Sequence, residues 1–152
     1  MKRLLILLTA TSLLAGGGVS GAASVPSARS VEDAAPALKL RSTRYGRVLF
    51  DGRDRVLYAF TRDRRGARST CYGGCARAWP VYFSRGAVAP MRGVRRSLIG
   101  RVRRRDGRFQ VTYNGWPLYF YAHEGPREVR CQGVDEFGGL WLVVRADGRL
   151  VR

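Results

Sequence analysis

Two cysteines four residues apart, Cys71 and Cys75, enclose Tyr72-Gly73-Gly74 and lead directly into Ala-Arg-Ala-Trp79-Pro80. Thiols at that spacing, with glycines that let the loop close tightly, can form a disulfide, exchange redox equivalents or supply two metal ligands. In an oxidising compartment the disulfide between Cys71 and Cys75 is favoured. A loop this short removes only ~2 kcal/mol of unfolded-chain entropy, so its main effect would be to pin the turn that delivers Trp79. A redox site more often shows Cys-x-x-Cys within a βαβ pattern, and neither is present. A metal site would need Cys131 or His123, and His123 is the sole histidine of the chain. It reads more simply as a solvated residue at a strand end. Cys131 is the odd thiol, which leaves it free, paired between molecules or competing for one end of the short bridge.

The second set is acidic. Asp63 ends the stretch Tyr58-Ala-Phe60-Thr-Arg-Asp63, and Glu124 ends Tyr119-Phe-Tyr121-Ala-His-Glu124, 61 residues later. Two facing carboxylates can do the acid–base work of glycoside hydrolysis. The simpler reading is that each accepts hydrogen bonds from the amides of the loop that follows it, closing the turn. Arg62, Arg64 and Arg65 also offer Asp63 ion-pair partners. No Ser-His-Asp set, phosphate-cradling glycine loop or nucleotide fingerprint can be assembled. The expectation is a protein that is not an enzyme and carries no cofactor.

The third set is cationic. Residues 92–108 hold eight arginines, of which Arg92, Arg95, Arg96, Arg101, Arg103 and Arg105 are the candidate polyanion contacts. On a strand, Arg101, Arg103 and Arg105 would project from one face. They form either a solvated face on an arginine-rich chain or a docking strip for anionic envelope polymers or a membrane surface. Nucleic acid would be bound without base reading. Arginine outnumbers lysine 26 to 2, and the net charge of the 152 residues is +17.

Positioning these groups falls to short strands bounded by turn dipeptides. Arg47–Phe50, Asp51-Gly52 and Val56–Phe60 read as a hairpin, as do Val102–Arg104, Asp106-Gly107 and Phe109–Tyr113. Asn114-Gly115 turns into Pro117–Tyr121, and Asp147-Gly148 joins Trp141–Arg145 to Leu150-Val151. Asp-Gly and Asn-Gly suit the primed turns that match strand twist. The expected fold is all-β: two diverged antiparallel hairpin repeats packed into one small domain with little helix. Cys75–Trp79 is a helical turn at best, stopped by Pro80. Tyr58 with Phe60, and Tyr119 with Tyr121, fall on one face of their strands and are the expected core pairs. A lone hairpin is marginal in water, so the repeats must cover each other's apolar faces.

These stretches resemble a known family. Tyr58-x-Phe60-x-x-Asp63 matches the motif that names the secreted repeats and predicted lipoproteins with a Yx(FWY)xxD motif, a family of uncharacterised function. Cys71-x3-Cys75-Ala-x-x-Trp79-Pro80 resembles its next block, Asn114-Gly-Trp-Pro-Leu-Tyr119 the opening of its second repeat, and Gly138-Gly-Leu-Trp141 its closing block. The likeness spans roughly residues 46–150 and implies fold and location rather than chemistry. Glu124 stands where the second motif would have Asp, Cys131 where Gly is expected, and no lipidation cysteine precedes Cys71.

At the N-terminus, Lys2-Arg3, a largely apolar run over residues 4–15 and Gly21-Ala-Ala make the three-part pattern of a cleaved secretory leader. The run is too short for the roughly 20 residues a bilayer core requires. The expected organisation is a leader at 1–23, a linker at 24–45, and a two-repeat β domain at 46–152, split near 46–90 and 98–152. Loss of Lys2 and Arg3 brings the net charge from +17 to 17 − 2 = +15. The oligomeric state has no signature in the sequence.

Overall fold

A computed structural model of the protein describes residues 36–152. The expected leader and the first twelve residues of the expected linker lie outside the described residues. The strands are β1 (Ala37–Thr43), β2 (Gly46–Asp51), β3 (Tyr58–Phe60), β4 (Ala89–Pro90), β5 (Ile99–Arg103), β6 (Phe109–Tyr113), β7 (Trp116–Pro117), β8 (Val134–Glu136) and β9 (Gly139–Val143). One five-residue helix, α1 (Gly74–Ala78), and a 3₁₀ turn at Arg96–Leu98 interrupt them. The fold is all-β, built from three three-stranded sheets ordered β2-β1-β4, β3-β9-β8 and β5-β6-β7. All named pairings are antiparallel except the two-residue contact between β1 and β4.

The domain begins earlier than the expected linker boundary at residue 45. Ala37–Thr43 is a strand that pairs along its length with β2. Leu38 and Leu40 alternate with Lys39 and Arg41, a half-buried strand pattern, and Leu38 is fully buried. The pattern hides because the turn after it is Arg44-Tyr45, with the required left-handed residue one step later at Gly46. The expected 47–60 hairpin exists only next to its turn. Asp51 N–H donates to Arg55 O and Leu57 N–H to Leu49 O, after which β3 departs to pair with β9.

The turns divide into two kinds. At Asn114-Gly115 both residues have positive φ, as a primed turn requires. At Asp106-Gly107 and Asp147-Gly148 only the glycine does. There the amides of Arg104 and Arg145 donate to the carbonyls of Arg108 and Arg149, while Gly107 and Gly148 donate back to Arg104 and Arg145. This is the three-residue hairpin in which a left-handed glycine follows an ordinary turn. In each, the aspartate carboxylate accepts the amide two residues on, Arg108 or Arg149.

The two repeats meet at their tyrosines. Tyr58 N–H donates to Tyr119 O and Tyr119 N–H to Tyr58 O, both at 2.9 Å, so equivalent residues of the two repeats form one hydrogen-bonded antiparallel pair. Alternation then sends side chains into two cores. Tyr58, Phe60 and Tyr119 enter the first with Trp79 and Trp141, with Tyr121 packed against it. Leu57, Ala59, Leu118 and Phe120 enter the second with Val111 and Tyr113. Trp79 of repeat one stacks on Trp141 of repeat two, with centroids 3.8 Å apart and planes at 3°. Each repeat covers the other's apolar face, as the marginal stability of isolated hairpins demands.

Candidate functional site

The motif acids are tied to both repeats at once. Asp63 Oδ1 accepts the Thr70 amide and hydroxyl, each at 2.7 Å. Its Oδ2 accepts the Tyr119 hydroxyl at 2.6 Å. Glu124 Oε1 accepts the amides of Arg130 and Cys131 and the Tyr58 hydroxyl, the last at 2.8 Å. The acid of each repeat thus closes its own following loop and receives the tyrosine of the other repeat. The loop half of this was legible as turn chemistry. The crossing was not, although both tyrosines precede their acids by five residues and share the 61-residue offset.

Burial, and then the partner carboxylate, push the pKa of both tyrosines upward. They therefore stay protonated and act as donors. Both acids are buried and spoken for by structural donors, which suits a clasp between repeats. Glu124 Oε2 and Arg104 Nε are the two side-chain atoms buried without a hydrogen-bond partner among the described residues.

Arg104 is not among the six candidate polyanion contacts and is the one arginine of the basic run that is buried, 4% exposed. Its guanidinium donates to Ser69 Oγ, Gln110 Oε1 and Cys71 O, each at 2.7 Å, and lies 4.2 Å from the Tyr72 ring centroid. Ser69 Oγ sits 2.5 Å from the Tyr119 hydroxyl, so a polar chain runs from Arg104 through Ser69 and Tyr119 to Asp63. A cation from the second repeat's hairpin thereby offsets an acid buried in the first. No sequence signal separates Arg104 from its neighbours except the strand end, where the chain turns inward.

Cys71 and Cys75 form a disulfide, and Cys131 is a free, buried thiol. The bridge clamps the loop before Trp79, whose amide donates to Cys75 O at 2.8 Å and whose indole N–H donates to Glu136 at 2.9 Å. Burial, with Glu124 and Glu136 nearby, raises the Cys131 pKa to about 11, so the thiol is protonated at neutral pH. Its amide occupies the same place beside Glu124 that Thr70 occupies beside Asp63. Among the described residues no three His, Cys, Asp or Glu side chains converge in a metal-holding group. His123 is exposed and meets Tyr121 edge-on, with centroids 5.5 Å apart.

The arginine strip divides differently from the expectation. Arg101 and Arg103 lie on β5, but the strand ends at Arg103, so Arg105 belongs to the following turn. Arg92, Arg95 and Arg96 precede β5, and all six candidate arginines are exposed. None has a carboxylate within 4.0 Å among the described residues. Phe109, 41% exposed, lies opposite Arg103 and 5.1 Å below the Arg101 guanidinium. Arg105 lies 4.8 Å from the Tyr72 ring. The face therefore interleaves unpaired cations with aromatic rings, each contact a cation–π pair.

The family model of a secreted repeat of unknown function matches twice, over residues 39–82 and 100–145. The chain belongs to this family. The two matched segments correspond to the two halves that meet at Tyr58 and Tyr119, and family membership describes a secreted protein. The first match starts within β1, in keeping with the earlier domain boundary. No curated protein and no solved structure matches the chain.

Proposed function

We propose that this secreted repeat is a non-enzymatic envelope module that docks onto an anionic polymer through its arginine strip. The observation that carries the reading is six exposed guanidiniums without carboxylate partners, gathered on β5 and the segments flanking it. Five other arginines, Arg41, Arg108, Arg127, Arg130 and Arg149, lie within 4.0 Å of acids, so the strip is set apart by the clustering of its free cations and not by their lacking acids alone. Unpaired cations keep their full field for a partner, and a phosphodiester polymer such as teichoic acid presents the complementary charge at regular spacing. The cleaved leader read from the sequence would deliver the chain to that polymer.

The test uses protein recovered from the culture medium, whose intact mass should lack roughly the first 22–24 residues. Binding to teichoic acid is titrated against salt for the wild type and for Arg101→Ser/Arg103→Ser/Arg105→Ser. Loss of three phosphate contacts should lower the slope of log K against log salt by about 2. Stability should change by less than about 0.5 kcal/mol per surface site. Equal affinity and slope in the variant would reduce the strip to a solvated face.

A further inference from the structure

Three turns from distant parts of the chain meet at one end of the second core, and the surface they make is a second cationic site. Arg65 donates to Asn114 O at 2.9 Å and to Asn114 Oδ1 at 2.6 Å, and Gly66 N–H donates to Gly115 O at 2.8 Å. Asn114 Nδ2 reaches Gly148 O at 3.3 Å, and the Asn114 amide donates to Leu98 O at 2.7 Å. The turns approach so closely that a Cβ on Gly148 would stand 2.3 Å from Asn114 Cβ, and one on Gly115 would stand 2.9 Å from Gly66 N. This junction is closely packed and hydrogen-bonded.

A cleft of about 320 Å³ opens on it. Its lining combines the apolar side chains Trp116 and Leu150 with the arginines Arg65, Arg149 and Arg152. Only Arg149 has a carboxylate within 4.0 Å among the described residues, Asp147 at 3.6 Å. The cleft therefore carries a surplus of positive charge. The Trp116 indole N–H makes no hydrogen bond among the described residues and Trp116 is half-buried, whereas Trp79 and Trp141 are fully buried.

We infer that this cleft binds an anionic pyranose, a single sugar bearing a phosphate or a carboxylate. An indole beside a leucine makes an apolar surface suited to the C–H face of a sugar ring. The Arg149 and Arg152 guanidiniums supply charge-assisted hydrogen bonds to the anion, while Arg65, whose fork holds Asn114, adds its charge. A nucleotide fits less well, because the Asn114 amide already holds Arg65 on its oxygen and Gly148 O on its nitrogen, which fixes its orientation within the junction and leaves no free fork for a base edge. The site is separate from the strip on β5, so the two readings stand or fall independently.

Trp116 provides the assay, since it is the only one of the three tryptophans with exposed surface. Acrylamide quenching of the wild-type protein is followed while glucose 6-phosphate, glucuronate, glucose, AMP or inorganic phosphate is added at low salt. Glucose 6-phosphate, glucuronate or both should protect the tryptophan, and glucose should not at the same concentration. If only one protects, that identifies the anion. Arg149→Ser/Arg152→Ser should weaken protection roughly tenfold or more, while the Arg101/Arg103/Arg105 triple variant should leave it unchanged. Unaltered quenching by both anionic sugars would overturn the assignment, as would equal protection in the double arginine variant. Equal protection by AMP or by phosphate alone would also overturn it, by removing the role given to the sugar ring.

Discussion

Tyr58 and Tyr119 occupy equivalent positions, yet their hydroxyls carry unequal loads. The Tyr119 hydroxyl is the link between Asp63 and the Ser69–Arg104 chain. The Tyr58 hydroxyl adds to a Glu124 oxygen that already holds two amides. Removing a hydroxyl from a buried carboxylate costs about 1–3 kcal/mol when the acceptor is left short, and less when other donors remain. Tyr119→Phe should therefore destabilise more than Tyr58→Phe, by about 1 kcal/mol. Urea denaturation of the two variants measures the difference, and a larger loss in Tyr58→Phe would contradict the assigned roles. Three hydrogen bonds from the terminal nitrogens of Arg104 and the Tyr72 ring replace water, while its Nε is buried without a partner among the described residues.

At the scale of elements, the turns do more than reverse the strands. Gly148 has φ +81°, and its backbone is pressed against Asn114 in the next hairpin. Gly133 has a similar φ, +82°, with nothing within 4 Å of where a Cβ would stand. Left-handed strain alone costs an alanine about 1–2 kcal/mol. Gly133→Ala should show that strain alone, whereas Gly148→Ala must also push two turns apart and should lose at least about 1 kcal/mol more. Thermal or urea unfolding of the pair separates strain from crowding, and equal losses would mean that the junction yields. Helix α1 shows a related economy. Five residues would not hold a helix in water, so the Cys71–Cys75 bridge and Trp79 in the core hold it in place.

At the scale of the whole molecule, the repeats are halves of one folding unit. Their central strands pair with each other, their tryptophans stack, and each acid waits for the other's tyrosine. Fragments 36–90 and 98–152 should each be unfolded alone by circular dichroism and should regain β structure when mixed. A cooperative unfolding transition in either isolated fragment would refute this interdependence. The charge follows a different logic, because 28 basic residues against 11 acidic ones bear on partners and solubility rather than on fold.

Local chemistry was legible in the sequence wherever a neighbour a few residues away decides the outcome. The glycine-bearing turns, the short disulfide and the pairing of Tyr58 with Phe60 all depend on short-range geometry, and the sequence carries that geometry directly. The 61-residue offset between Tyr58 and Tyr119 carried the two-repeat plan, and the family resemblance agreed with it. Long-range register decided the rest. That β3 would leave its hairpin for β9, that Tyr58 would face Tyr119, and that Arg104 alone would turn inward depend on contacts between residues 33 to 85 positions apart. The same holds for the cleft around Trp116, whose walls come from three turns that no local pattern links. A side chain's partner across such distances follows from how the two cores close, and closure is a property of the whole chain.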